Sequence, residues 1–149
     1  MAREFNIEDI NDLIKELDKK GLDIKKAIKN GVTRTTYNCQ AMAKRNAPVG
    51  KTGDLRANIH VSIDEKGNTV TGTVEPLMEY SVYPEFGTGQ RGMSSSIERP
   101  KGVHYSADWK GQDAQPYMYP AYLDQREKLL PNIKKQLDKV LKGAKWWKK

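Results

Sequence analysis

The chain has 149 residues, 37% of them apolar and 30% charged, with a formal net charge of +7. That length supplies one core but not two, and the thin apolar content predicts an open or elongated subunit that completes its burial against copies or partners. The single cysteine, Cys39, excludes an internal disulfide. No run approaches the roughly twenty apolar residues of a membrane span, and acids stand where a secretory leader needs an apolar stretch, so a soluble protein of a reducing compartment is expected.

The first element predicted is a short amphipathic helix within residues 1–21, with Ile7, Ile10, Leu13, Ile14 and Leu17 on one face. Asp18 to Gly21 interrupt it. The stripe resumes at Leu22 and runs through Ile24, Ala27, Ile28, Val32, Thr35, Cys39, Met42 and Ala43 at steps of three and four, until Asn46 and Pro48 stop it. Cys39 sits on that stripe and reads as a small buried hydrophobe rather than a nucleophile. After "NAPVGKTGDLR" the period changes to two. Ile59, Val61 and Ile63, then Val70, Gly72 and Val74, flank the turn "DEKGN" and predict a β-hairpin with one face on a core and His60 on the solvent side. Pro76 ends the second strand. "LMEYSVYPEFG" forms a compact aromatic segment with Phe86 as a core anchor, and residues 90–114 read as a long loop with at most a marginal hairpin from Val103 to Trp109. A last helix begins near Pro120 and carries Leu123, Leu129, Leu130, Ile133, Leu137, Val140 and Leu141, with Pro131 predicted to kink or break it.

The positive charge is local. Residues 101–149 hold eleven basic against five acidic residues, whereas 41–100 hold seven of each. The excess concentrates in "KKQLDKVLKGAKWWKK", where a helix end favours cations in any case. A solvated helix face is the preferred reading. The rival is a small basic nucleic-acid-binding protein, using these lysines with Trp146 and Trp147 as charge and stacking platform.

Several chemical sites are testable by pattern. Gly87, Gly89 and Gly92 match G-x-G-x-x-G, but a dinucleotide loop needs a buried strand before it and a helix after it, and "MSSSIERPKG" offers no such helix. "GKT" at Gly50 to Thr52 lacks the glycine five residues earlier that a P-loop requires; Arg45 stands there. His60 and His104 are far apart and have no ligand-spaced neighbours, so no metal is expected. No Ser-His-Asp set presents itself, and Glu75, Glu79 and Glu85 form no evident catalytic pair. A small hydrolase or toxin is therefore disfavoured, and neither enzyme activity nor a cofactor is expected.

Three islands remain: "NAPVGKTGDLRANI" (46–59), "EFGTG" (85–89) and "QPYMYPA" (115–121). In order and spacing, over roughly residues 22–142, they resemble the head-tail joining or tail-completion proteins of tailed double-stranded-DNA bacteriophages and prophages. That family shows an A-P-x-x-T-G-x-L-R turn after a long helix, a strand pair, an aromatic segment ending in E-F-G-T, and Q-P-F/Y-x-x-P-A opening the last helix. This chain departs in a turn one residue longer, in Asn58 and Pro84, and in the long loop after Gly89.

Together these readings predict one α+β domain over 1–149: an N-terminal helix (1–21), a core (22–142) and a basic tail (143–149). The core has a long helix, a small antiparallel sheet built on the hairpin, and a C-terminal helix packed on one face of that sheet, with loop 90–114 before the last helix. Pro48, Thr52, Gly53 and Leu55 make the first turn, with Thr52 capping "DLRA". Glu85, Phe86, Gly87, Thr88 and Gly89 frame the loop on one side, and Gln115, Pro116 and Tyr117 on the other. The resemblance implies a structural virion protein of the neck or tail, assembled as a ring of identical subunits in the host cytoplasm. Neck adaptor or stopper proteins and tail-tube or tail-terminator proteins are the implied partners. DNA would pass nearby without sequence-specific binding, and no membrane is involved.

Overall fold

In the computed structural model the described residues are 11, 14, 15, 24–98 and 100–142. The basic tail 143–149 and most of the expected 1–21 helix lie outside them, although Asn11, Ile14 and Lys15 are helical. The long stripe forms α1 (Ile24–Asn46), which buries Ile24, Ala27, Gly31, Thr35, Thr36, Cys39 and Ala43. A one-turn helix, α2 (Asp54–Ala57), leads into β1 (Ile59–Lys66) and β2 (Thr69–Pro76), paired antiparallel from Ile59 opposite Pro76 to Lys66 opposite Thr69. Ile59, Val61 and Ile63 turn toward α1, and His60 is exposed, as the alternation predicts.

The aromatic segment is helical: a 3₁₀ turn (Glu79–Ser81) runs into α3 (Val82–Phe86), and α4 (Gly89–Met93) follows. The stretch 90–114 is thus not loop throughout, and no strand forms from Val103 to Trp109. The last helix, α5 (Met118–Leu141), continues through Pro131. A proline inside a helix costs about 3 kcal/mol, but here α1 holds the helix on both sides of it. Asn132 Nδ2 donates to Thr35 Oγ1 (2.9 Å), and Ile133 lies against Gly31, so closely that a Cβ there would stand 2.7 Å from Ile133 Cα.

The architecture is the expected α+β arrangement, with one difference in packing. The main partner of α5 is α1, which it accompanies antiparallel, and α1 in turn carries the hairpin. Ile24 meets Leu141 at one end of the helix pair, with Ile14, Ile28 and Leu137 against them. At the other end Cys39, Ala43, Ala47, Leu55, Ile59, Tyr117 and Ala121 form the larger core. Leu123 and Leu130, expected on the inner stripe, are 40% and 44% exposed, and Ala121 and Gln125 are buried instead. Small residues such as Gly31 and Ala121 let the two helices approach closely, and bulky ones there would not fit.

Candidate functional site

The last helix is opened by a side chain from far upstream. Its first four amide positions are Tyr117, Met118, Tyr119 and Pro120, the set that an α-helix leaves without internal partners. Glu85, at the end of α3 and only 5% exposed, takes three of them. Its Oε2 accepts from Tyr117 N (2.8 Å) and Met118 N (2.9 Å), and its Oε1 from Tyr119 N (2.8 Å). The fourth position is Pro120, which has no N–H to satisfy. One carboxylate and one proline thus complete the cap, with the negative charge at the positive end of the helix dipole. Tyr117 is fully buried beside it and donates its hydroxyl to Ser81 O (3.2 Å). Burial, and then the neighbouring Glu85 charge, push its phenol up to about 12.

The chain on either side of this cap is tied backbone to backbone. Gln115 N donates to Pro84 O (2.7 Å), Thr88 N to Gln112 O (2.9 Å), Gln90 N to Trp109 O (3.1 Å) and Arg91 N to Lys110 O (3.0 Å). Gln112 N returns a bond to Thr88 O, and the Tyr105 hydroxyl reaches Phe86 O (2.8 Å). Gly87 and Gly89 hold φ of 74° and 60°, and a Cβ at either would stand 2.7 Å from a carbonyl oxygen of the returning limb. Glycine is required there by both conformation and space. The amides that a phosphate cradle would need, on Thr88, Gln90 and Arg91, are therefore already spent, which disposes of the G-x-G-x-x-G match.

The first island meets the other two in the core. Ala47, Leu55 and Ile59 pack with Tyr117 and Ala121. Arg56 Nη2 donates to Ala47 O (3.0 Å) and so covers carbonyls at the end of α1. Gly53 reverses the chain at φ 71°. Thr52 does not cap the "DLRA" turn as expected: its hydroxyl donates to Asp54 Oδ2 (2.6 Å), and α2 carries no side-chain cap. Pro48 and Pro116 are half-buried and Gln115 is exposed. Phe86, expected to anchor the core, is only half-buried, and the buried residue of α3 is Glu85. The reason is the helical spacing of α3, which turns position 85 toward α5.

Three further contributors were not singled out by sequence patterns. Gln40 Nε2 donates to Ile59 O (2.6 Å), Arg56 covers the end of α1, and Gln125 is buried on α5. Only Arg56, inside the "GDLR" turn, had a recognisable setting.

Glu85 is occupied by amides. Burial, and then the charge of Asp124, push the Cys39 thiol up, away from the reactive thiolate. Among the described residues no group of His, Cys, Asp or Glu is placed to hold a metal ion, and no helix is long and apolar enough to cross a membrane. What the hub does display is apolar surface. A groove of about 700 Å³ opens between α1, β2 and the first half of α5, and Val82, Tyr83, Tyr119 and Tyr122 stand 42–55% exposed around this end of the molecule. Tyrosines around an apolar centre, with few charges, are the composition of protein interfaces.

A small α+β fold with a tightly tied hub and an aromatic apolar end has the surface of a protein that packs against others. Residues 11–87 match the family model HK97-gp10-like, described as "Bacteriophage HK97-gp10, putative tail-component", and the chain belongs to that family of phage tail components. The match covers α1, the hairpin and the segment up to Gly87, so it includes the first island and most of the second. No curated protein and no solved structure matched the chain.

Proposed function

We propose that this protein is a non-enzymatic virion component of the phage neck that joins or completes the tail for attachment to the DNA-filled head, acting as a ring of identical subunits. Its neighbours in this reading are the adaptor or stopper proteins on the head side and the tail-tube or tail-terminator proteins on the other. The observation that carries it is the convergence of the three islands, Asn46–Ile59, Glu85–Gly89 and Gln115–Ala121, on one hub in a chain of a phage tail family. The residues framing loop 90–114 shape a contact surface; Phe86, Thr88 and the glycines act through that shape. Burial of subunit surfaces supplies the free energy of assembly, and chemistry has no part in it.

The test is a nonsense mutation in the gene of a complete phage, followed by electron microscopy of the lysate. DNA-filled heads and separate tails, joined on adding purified protein, are expected. Normal virions would refute the joining role, and empty heads would move the function to packaging. The basic end favours one alternative, nucleic-acid binding through the lysines. It predicts DNA affinity falling steeply with salt, and wild-type assembly when the tail lysines are neutralised would exclude it.

A further inference from the structure

The groove between α1, β2 and α5 has three features that fit one kind of occupant. Its floor, at Val32, Thr35 and Cys39, is largely apolar. One wall is β2, whose second edge pairs with no strand among the described residues. In a hairpin closed by two residues, the backbone groups of Val70, Gly72 and Val74 point along that outer edge. The opposite wall presents Gln125, 93% buried by its 7% exposure. Its Nε2 donates to Asp124 Oδ2 (2.7 Å), and among the described residues its Oε1 is the one buried side-chain polar atom without a partner. An orphaned buried acceptor costs about 1–3 kcal/mol relative to a satisfied one. Next to it at the rim is the Arg126 guanidinium.

The matching occupant is extended, has an apolar body and carries a single donor, with a flat face for the guanidinium. An indole has these properties: its Nε1–H is donor only, and its ring stacks on arginine. We infer that the groove receives Trp146–Trp147 of a neighbouring copy's C-terminal segment, one indole donating to Gln125 Oε1 and the other lying against Arg126, with the segment's backbone along the free edge of β2.

Reach decides between own tail and neighbour's. Lys142 stands about 25 Å along α5 from Gln125 at 1.5 Å per residue. Four further residues extend at most about 14 Å, before any reversal of direction, so a returning Trp146 stops well short of Gln125. From an adjacent subunit no reversal is needed. Each copy would then offer one tail and one groove, a head-to-tail contact that closes into a ring or continues as a stack.

This rests on the joining reading only for the presence of neighbouring copies, and its first test needs only purified protein. Full-length protein carrying Trp146→Ala and Trp147→Ala is titrated by calorimetry with the peptide KGAKWWKK. Saturable one-to-one binding is expected, lost with KGAKAAKK. Adding Gln125→Leu to the protein should weaken binding at least tenfold while the melting temperature holds or rises, because it removes the orphaned acceptor. No saturable binding, equal binding of the two peptides, or undiminished binding to the Gln125→Leu protein each overturns the inference. If Gln125→Leu abolishes joining in phage while the peptide does not bind, a different protein fills the groove and the inference again fails. Failure of any arm leaves the joining reading standing, and normal virions from the nonsense mutant would leave the groove unaffected.

Discussion

The segment between the sheet and the last helix contains two regions of opposite construction. Residues 84–93 and 109–117 are joined rung by rung through backbone hydrogen bonds, with Glu85 buried at their base. Between Ser94 and Asp108 the bonds are mostly side-chain and local, as in Ser94 Oγ to Arg91 O and Asp108 N to Ser106 Oγ, and most residues are exposed. Longer-range ties there include Tyr105 to Phe86 O and Gln90 Nε2 to Ala107 O. The limbs are framework, and the described residues of the excursion are mostly exposed. The exposed part of the stretch 90–114 is thus about half its length, at its centre.

The contrast is most sharply tested at Glu85. Glu85→Ala leaves three helix-start amides unpaired, that of Tyr117 buried and the other two part-buried, and a loss of about 3–5 kcal/mol is expected from the denaturation midpoint. A loss below 1 kcal/mol would mean that the limbs do not depend on the cap. Gly87→Ala comes next. A side chain at φ 74° set 2.7–2.8 Å from backbone atoms of the other limb should cost about 2–4 kcal/mol, whereas Gly102→Ala, at positive φ in the excursion but with open space around it, should cost only about 1 kcal/mol.

Tyr117 gives a pH signature to the framework. Its folded-state value of about 12 lies above the ordinary 10.0, so the folded chain retains a proton that the unfolded chain has released. The resulting stabilisation is complete below pH 10 and is lost as pH rises through 12, about 2–3 kcal/mol over that window. Alkaline unfolding followed by tyrosine absorbance should show it, and Tyr117→Phe should flatten that part of the profile. The smallest effect belongs to the excursion. Ser96→Ala, or Lys101→Ala, should change stability by less than about 0.5 kcal/mol, and trypsin should cleave native protein at Lys101 well before Lys110, whose carbonyl is bound to Arg91. Equal amide exchange across 94–108 and 109–115 would erase the distinction.

The elements were legible where periodicity carries the information. The α1 stripe, the hairpin and His60 on its outer face follow from apolar spacing alone, and Cys39 is buried as that spacing requires. The islands signalled that residues 46–59, 85–89 and 115–121 matter together, but not how. No local pattern announces that a glutamate will cap a helix starting 33 positions later, since α3 is five residues long and offers too little sequence for a period. Phe86 looked like the anchor because an aromatic residue beside a glutamate is ordinarily the buried one. The inner face of α5 was misjudged at Leu123 and Leu130 because hydropathy does not reveal the close approach of α1, where Gly31 and Ala121 admit what leucines would exclude.

The borrowed cap also orders events during synthesis. Glu85 leaves the ribosome more than thirty residues before the amides it will hold, and until Tyr117 to Tyr119 emerge its carboxylate has to remain hydrated. The hub then closes in the last stage of translation, with the arrival of α5. A nascent chain stalled before Tyr117 should accordingly bear a hairpin and α1 with an open, apolar flank, the form most in need of a chaperone.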